Sequence, residues 1–132
     1  MFPSSFIIRL RHVEKRIDAD FEEALEYICK SLCLEAYETD TAKQILFEII
    51  KSRTGLSSTQ LAKRLGKSRG AVINQLNRLM ASGLIVRERR YYRLRASTLA
   101  NTIAELQDDI ERIMNNMIEI ARALDNMEKK NL

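Results

Sequence analysis

The sequence predicts a mainly α fold with one small β-hairpin and a long terminal helix, and three observations lead there. Turn-formers are scarce, with one Pro and 4 Gly in 132 residues, while Leu, Ile, Glu, Lys and Arg abound. Ser and Gly stand at the spacing of helix starts and stops between residues 57 and 83. Beyond Ser97 the apolar residues recur 4, 3, 4, 3 without a break. The length suits one compact domain and is short for two cores joined by a linker. The organisation expected is an N-terminal extension over 1–19, a compact domain over 20–95 and a separate terminal helix over 97–129.

Residues 1–19 read two ways. Phe6, Leu10, Val13 and Ile17 follow helical spacing, whereas Ile7-Ile8 among alternating Arg and apolar residues suits a strand. Asp18 or Asp20 would cap the next helix, with Phe21, Ala24, Leu25, Ile28 and Leu32 as its apolar stripe. Thr39, Asp40 or Thr41 would cap a second helix, in which Ile45, Leu46, Ile49 and Ile50 face a core and which Gly55 ends. Ser57 precedes a short helix from Ser58 to Leu65, with Leu61, Ala62 and Leu65 inward and Gly66 as its stop. Ser68 caps the following helix, which sets Val72, Leu76 and Leu79 in the core and ends at Gly83. Leu84-Ile85-Val86 reads as a strand, turned by Glu88-Arg89 into a second one from Arg90 to Leu94.

Charge points to the partner. Residues 53–95 hold eleven of the 22 basic side chains and a single acid, Glu88, so the segment carries +10 and its flanks −6. Solvated faces mix both signs; a one-signed block in a folded segment is the footprint of a polyanion. Two helices joined by a tight turn at Gly66-Lys67 outline a helix-turn-helix. With Val72, Leu76 and Leu79 inward, the second helix presents Arg69, Gly70, Ile73, Asn74, Asn77 and Arg78 outward. These types suit base edges: Arg forks to guanine, Asn pairs with adenine, Ile covers a thymine methyl. Gly70 would let the backbone approach DNA closely. With Lys67 and Ser68 at the turn, and Arg87, Arg89, Arg90 and Arg93 on the hairpin, these residues form the expected duplex-DNA contact. Arg95 was expected to belong to the same basic hairpin, with Tyr92 and Leu94 packed inward.

The run Leu61-Ala62-Lys63-Arg64-Leu65-Gly66-Lys67-Ser68, then Val72, Leu76-Asn77-Arg78-Leu79 and Gly83-Leu84-Ile85, resembles winged-helix regulators of the MarR and ArsR type. The likeness covers about residues 41–95. It implies that the helix after Ser68 is the recognition helix, that Arg87 to Arg93 form the wing, and that terminal helices dimerise. The long last helix is similar to that of small archaeal regulators with a coiled C-terminal helix. The cysteine metal motif of the ArsR sensors is missing before the turn, and the wing is shorter than the MarR pattern, with no Gly at its tip.

In the terminal helix, Ile103, Ile110, Met117 and Leu124 take heptad position a, and Leu99, Leu106, Ile113, Ile120 and Met127 position d. Roughly 30 residues would extend about 45 Å. The bland alternative is a helix packed on its own domain. Ala100, Met114 and Ala121 at e widen the strip and leave room for a further helix, such as the partner's N-terminal one. The flanking positions hold no opposite charges, so parallel and antiparallel pairing both stay open.

Other features point nowhere specific. Cys29 and Cys33, one helical turn apart, read as small hydrophobes more readily than as a metal or redox site. His12 has no companion ligand, and Asp108 and Asp109 are expected on the exposed side of the coil. No metal, cofactor or enzyme activity is expected. No apolar run is long enough to span a bilayer and the N-terminus lacks signal-peptide features, so a cytoplasmic, nucleoid-associated protein is expected. The expected function is a homodimeric, sequence-specific transcription regulator. The rivals are a sequence-neutral architectural protein, a protein-docking module of a transcription assembly, and a plasmid or viral maintenance protein using the same DNA chemistry.

Overall fold

The computed structural model describes residues 7–15, 18–34 and 41–131, the last two in backbone only. The element order is α1 (Phe21–Ser31), α2 (Thr41–Lys51), β1 (Leu56–Ser57), α3 (Ser58–Leu65), α4 (Arg69–Ala81), β2 (Ile85–Glu88), β3 (Tyr91–Leu94) and α5 (Leu99–Asn131). The chain is mainly helical, with one antiparallel sheet in the order β1-β3-β2.

Caps explain the helix limits. Asp20 accepts from the Glu23 amide and starts α1. Ser57 and Gln60 close a reciprocal capping box at α3, and Ser68 accepts from Ala71 at α4. Gly66, at φ +63°, ends α3. Helix α4 stops at Ala81, two residues before Gly83, whose amide and that of Leu84 return to Met80 and Leu79. That double return is the left-handed helix stop. Ile45, Leu46, Ile49, Leu61, Val72, Leu76, Leu79, Leu84 and Ile85 form the centre of the core, each at most 1% exposed. All three central helices therefore turn their apolar faces onto one another and onto the sheet.

Several expectations need correction. Residues 7–15 form neither helix nor strand; their Leu10 is exposed, so no apolar face holds a helix together. Instead the Ile7 amide donates to Ala81 and that of Arg11 to Ser31, tacking the segment across two helix ends. Phe6 and Ile17 lie outside the described residues. In α1 the buried line is Leu25, Cys29 and Leu32, whereas Ala24 is exposed and Phe21 sits edge-on to Phe47 at 5.2 Å. Thr39 and Asp40 lie outside the described residues, and Thr41 is already the buried first residue of α2. Cys33 is not one helical turn beyond Cys29, because α1 ends first. Cys33 takes φ +56° as a left-handed stop, and the Leu34 amide returns to the Cys29 carbonyl.

Gly55 serves the sheet rather than the end of α2. Strand β1 was not expected, since two residues carry no periodicity; its existence rests on pairing Leu56 with Tyr92 and Ser57 with Tyr91. Gly55 leads into it at φ +87°, where an added Cβ would lie 2.9 Å from the Tyr92 carbonyl oxygen. Both the backbone angle and the close approach demand glycine. Gly55→Ala is expected to destabilise the fold by about 2 kcal/mol. A denaturation midpoint unchanged from the parent protein would refute that account of β1.

The hairpin is also shifted from its expected bounds. Its strands begin at Ile85 and Tyr91, and Arg89-Arg90 form the turn, with Glu88 paired to Tyr91. Arg89 holds φ +59° without being glycine.

Helix α5 would be about 50 Å long. Its first three turns pack on the domain through Leu99, Thr102, Ile103, Leu106 and Asp109, and from Glu111 to Lys129 every side chain is exposed. Asp109 is therefore not on an exposed face, as the heptad pattern had suggested, but 4% exposed. The large apolar residues from Ile113 to Met127 are each at least 41% exposed.

Candidate nucleic-acid interface

The turn Gly66-Lys67-Ser68 sets α4 across α3 and leaves one long side of α4 in solvent. Val72, Gln75, Leu76 and Leu79 are buried. Arg69, Gly70, Asn74 and Asn77 are exposed on the opposite side, with Ile73 and Arg78 half-buried at its margins. The sequence-expected contact residues of this helix thus share one surface.

That surface is ordered by polar contacts that sequence reasoning missed. The Arg69 Nε donates to Ser58 Oγ at 3.3 Å, tying the helix start to α3. Arg78 donates to Gln75 Oε1 at 3.1 Å, so a nearly buried amide aims a guanidinium along the face. Gln75 had no distinguishing signal, since its place between Asn74 and Leu76 does not reveal which way it points. Ser68 is occupied first as a cap, its Oγ accepting the Ala71 amide, and its hydroxyl proton is still available to an acceptor. Asn74 and Asn77 make no hydrogen bond through their amides among the described residues. Gly70 has a helical backbone and open space where a Cβ would stand. Nothing within the protein therefore requires a glycine there.

The wing adds a second cationic surface. Tyr92 and Leu94 face inward and are buried, as strand alternation predicts, and Tyr91 is half-buried. Arg87, Arg89, Arg90 and Arg93 are exposed. Arg87 lies 5.5 Å from the Tyr92 ring centre and donates to the Arg89 carbonyl at 2.8 Å, while Arg90 donates to the Tyr91 hydroxyl at 2.9 Å. These contacts hold the side chains without cancelling their charge. Arg93 is different, since it pairs with Glu88 at 3.1 Å.

Arg95 leaves the wing altogether. It pairs with the buried Asp109 and, at 3.2 Å, with Glu105, so it binds the end of β3 to α5. Arg112 closes the other side of Asp109 at 3.2 Å. The hydrogen bond from Arg95 holds the Asp109 carboxyl below its ordinary pKa; burial opposes this, and the charges of Arg95 and Arg112 reinforce it.

Among the described residues no acid pairs with Lys67, Arg69, Arg78, Arg87, Arg89 or Arg90. The described residues also hold no cluster of ligating side chains fit for a metal ion and no helix long and apolar enough to cross a membrane. The surface can thus bind an extended anion that offers hydrogen-bonding edges beside its charges.

No curated protein and no solved structure matches the chain. Residues 39–96, which take in α2, the helix-turn-helix and the wing, match the model described as MarR family. With three helices, a three-stranded wing sheet and this match together, residues 41–96 form a winged helix similar to those of the MarR family.

Proposed function

We propose that the protein is a homodimeric, sequence-specific regulator that places α4 in the major groove of duplex DNA, its wing along the adjoining backbone and α5 against a second copy. The observation that carries the reading is the basic surface of α4 and the wing, whose one acid, Glu88, is paired with Arg93. On it two exposed Asn amides stand among Lys67, Arg69, Arg78, Arg87, Arg89 and Arg90, none paired with a described acid. Cations alone would serve any polyanion. Free carboxamides on a groove-sized helix add a means of telling one base pair from another.

The roles divide by chemistry. Asn74 and Asn77 read base edges, Ile73 packs on a thymine methyl, and Gly70 admits a phosphate close to the helix start. Lys67, Ser68, Arg69 and Arg78 take phosphates beside the groove, or a guanine where Arg69 or Arg78 reaches in. Arg87, Arg89, Arg90 and Arg93 follow the backbone or enter the minor groove. Regulation would act by occupying a promoter in the nucleoid. The exposed line Ile113, Met117, Ile120, Leu124 and Met127 supports dimerisation, because monomers rarely leave such a contiguous apolar stripe in water. Half-exposed Ile28 and exposed Phe21 and Ala24 on α1 offer a further surface to the partner.

Selection of bound duplexes from a random pool tests the reading. A dyad-symmetric motif is expected, and Asn74→Ala/Asn77→Ala should flatten its preference by about 10- to 1,000-fold while leaving the salt dependence alone. Binding with no enriched motif would instead favour the sequence-neutral architectural role. Failure to bind any duplex at low salt would leave a protein-docking role.

A further inference from the structure

Which way two α5 helices run is written in the turns of the helix itself. Eighteen residues make five full turns, so side chains eighteen apart point the same way. Leu99 and Met117, Thr102 and Ile120, Leu106 and Leu124, and Asp109 and Met127 are such pairs. The first member of each packs on the chain's own domain, and the second is exposed. The domain and whatever covers the distal stripe therefore lie on the same side of α5.

This excludes the simplest parallel pair. A parallel partner seated on residues 113–127 would bring its residues 99–110 alongside the same residues here, about 8–10 Å away. That space is already filled by the winged helix packed on Thr102, Leu106 and Asp109. Two parallel helices would have to splay apart at Ile110, where the apolar stripe begins to be exposed. An antiparallel partner meets that obstacle only over its last turn, residues 128–131, because its domain-bearing half lies at the far end, beyond Met127.

Resting on the homodimer proposed above, we infer that a second copy's α5 covers this stripe antiparallel, with the two-fold axis between Ile118 and Glu119. Heptad positions a and d then meet in three layers, each formed twice. Ile110 packs on Met127, Ile113 on Leu124, and Met117 on Ile120 of the second copy. Every residue of the stripe is used, and the surface is self-complementary, as a two-fold interface requires. On the flank Met114 falls beside Ala121 of the other copy, large against small. The two Leu106 anchors stand about 38 Å apart along the coil, on the scale of one duplex turn.

Disulfide trapping in a Cys29→Ala/Cys33→Gly background tests the orientation; glycine suits the positive φ of Cys33. Ile113→Cys and Leu124→Cys proteins are oxidised singly and as a mixture. Antiparallel pairing predicts a 113–124 link in the mixture and none in either protein alone, since like positions are then about 16 Å apart, beyond disulfide reach. Self-linking of Leu124→Cys, or a dimer that forms no 113–124 link, overturns the inference. The flank pair Met114→Cys with Ala121→Cys repeats the test should a seam cysteine weaken assembly. Light scattering on the unmodified chain separates the two claims: a monomer at 100-micromolar-scale concentration sinks the homodimer itself, whereas a parallel link sinks only the orientation.

Discussion

Asp109→Ala is expected to lower the stability of the fold by about 3 kcal/mol, a fall in Tm of about 10 °C. Asp109 is 4% exposed and receives Arg95 on one oxygen and Arg112 on the other. Removing it takes the buried carboxylate away from the guanidinium of Arg95, whose side chain is 13% exposed, and leaves the 45% exposed Glu105 beside it. The loss falls on the joint between β3 and α5, so the angle at which the long helix leaves the domain should loosen as well. Asp109→Asn keeps an acceptor and should cost less. The pH dependence follows from the depressed pKa of this carboxyl. The unfolded chain takes up the proton first as pH falls, so the stabilisation is complete above about pH 4 and disappears as pH drops through the lower folded value. The parent protein should show this acid limb and Asp109→Asn should lack it, with a constant difference between them from pH 5 to 8. Thermal melts from about pH 2 to about pH 8 decide it; a limb that survives in Asp109→Asn would assign the acid sensitivity to other carboxylates.

The position of Asp109 shows where sequence reasoning stopped. Helix limits were legible because they depend on neighbours: Ser57 with Gln60, Ser68 with Ala71, and Gly66 in its left-handed conformation are local chemistry. The outward face of α4 was legible too, since fixing Val72, Leu76 and Leu79 inside fixes Asn74 and Asn77 outside. The heptad pattern of α5 could not distinguish burial on the domain from burial on a second chain, because both occupy one line of side chains. It therefore ranked Asp109 as a solvated flank, although the buried segment of that line includes it. Strand β1 and the pairing of Arg95 are long-range events with no local signature. The wing turn was displaced because the residue that takes the positive φ is Arg89, where sequence preference asks for glycine or asparagine.

That unusual turn permits the sharpest test of the wing. Arg87→Ala/Arg89→Gly/Arg90→Ala removes three exposed cations that pair with no acid among the described residues, and glycine fits the φ of +59° at position 89. The buried side of the hairpin, Tyr92 and Leu94, is untouched, so stability should hold to within about 0.5 kcal/mol. DNA affinity at moderate salt should fall about 1,000-fold, and the selected motif should stay the same, because phosphates carry affinity and bases carry choice. The salt slope then counts the chains. Each lost phosphate contact reduces the slope by about 0.9, so a dimer with six fewer contacts becomes less steep by about 5, a single chain by about 3. A slope left unchanged would mean that the wing does not touch the duplex, and the basic strip would end at α4. A change near 5 would join the wing, the recognition helix and a two-fold assembly in one titration. It would also tie the positive φ of Arg89 to a charge used on DNA rather than within the fold.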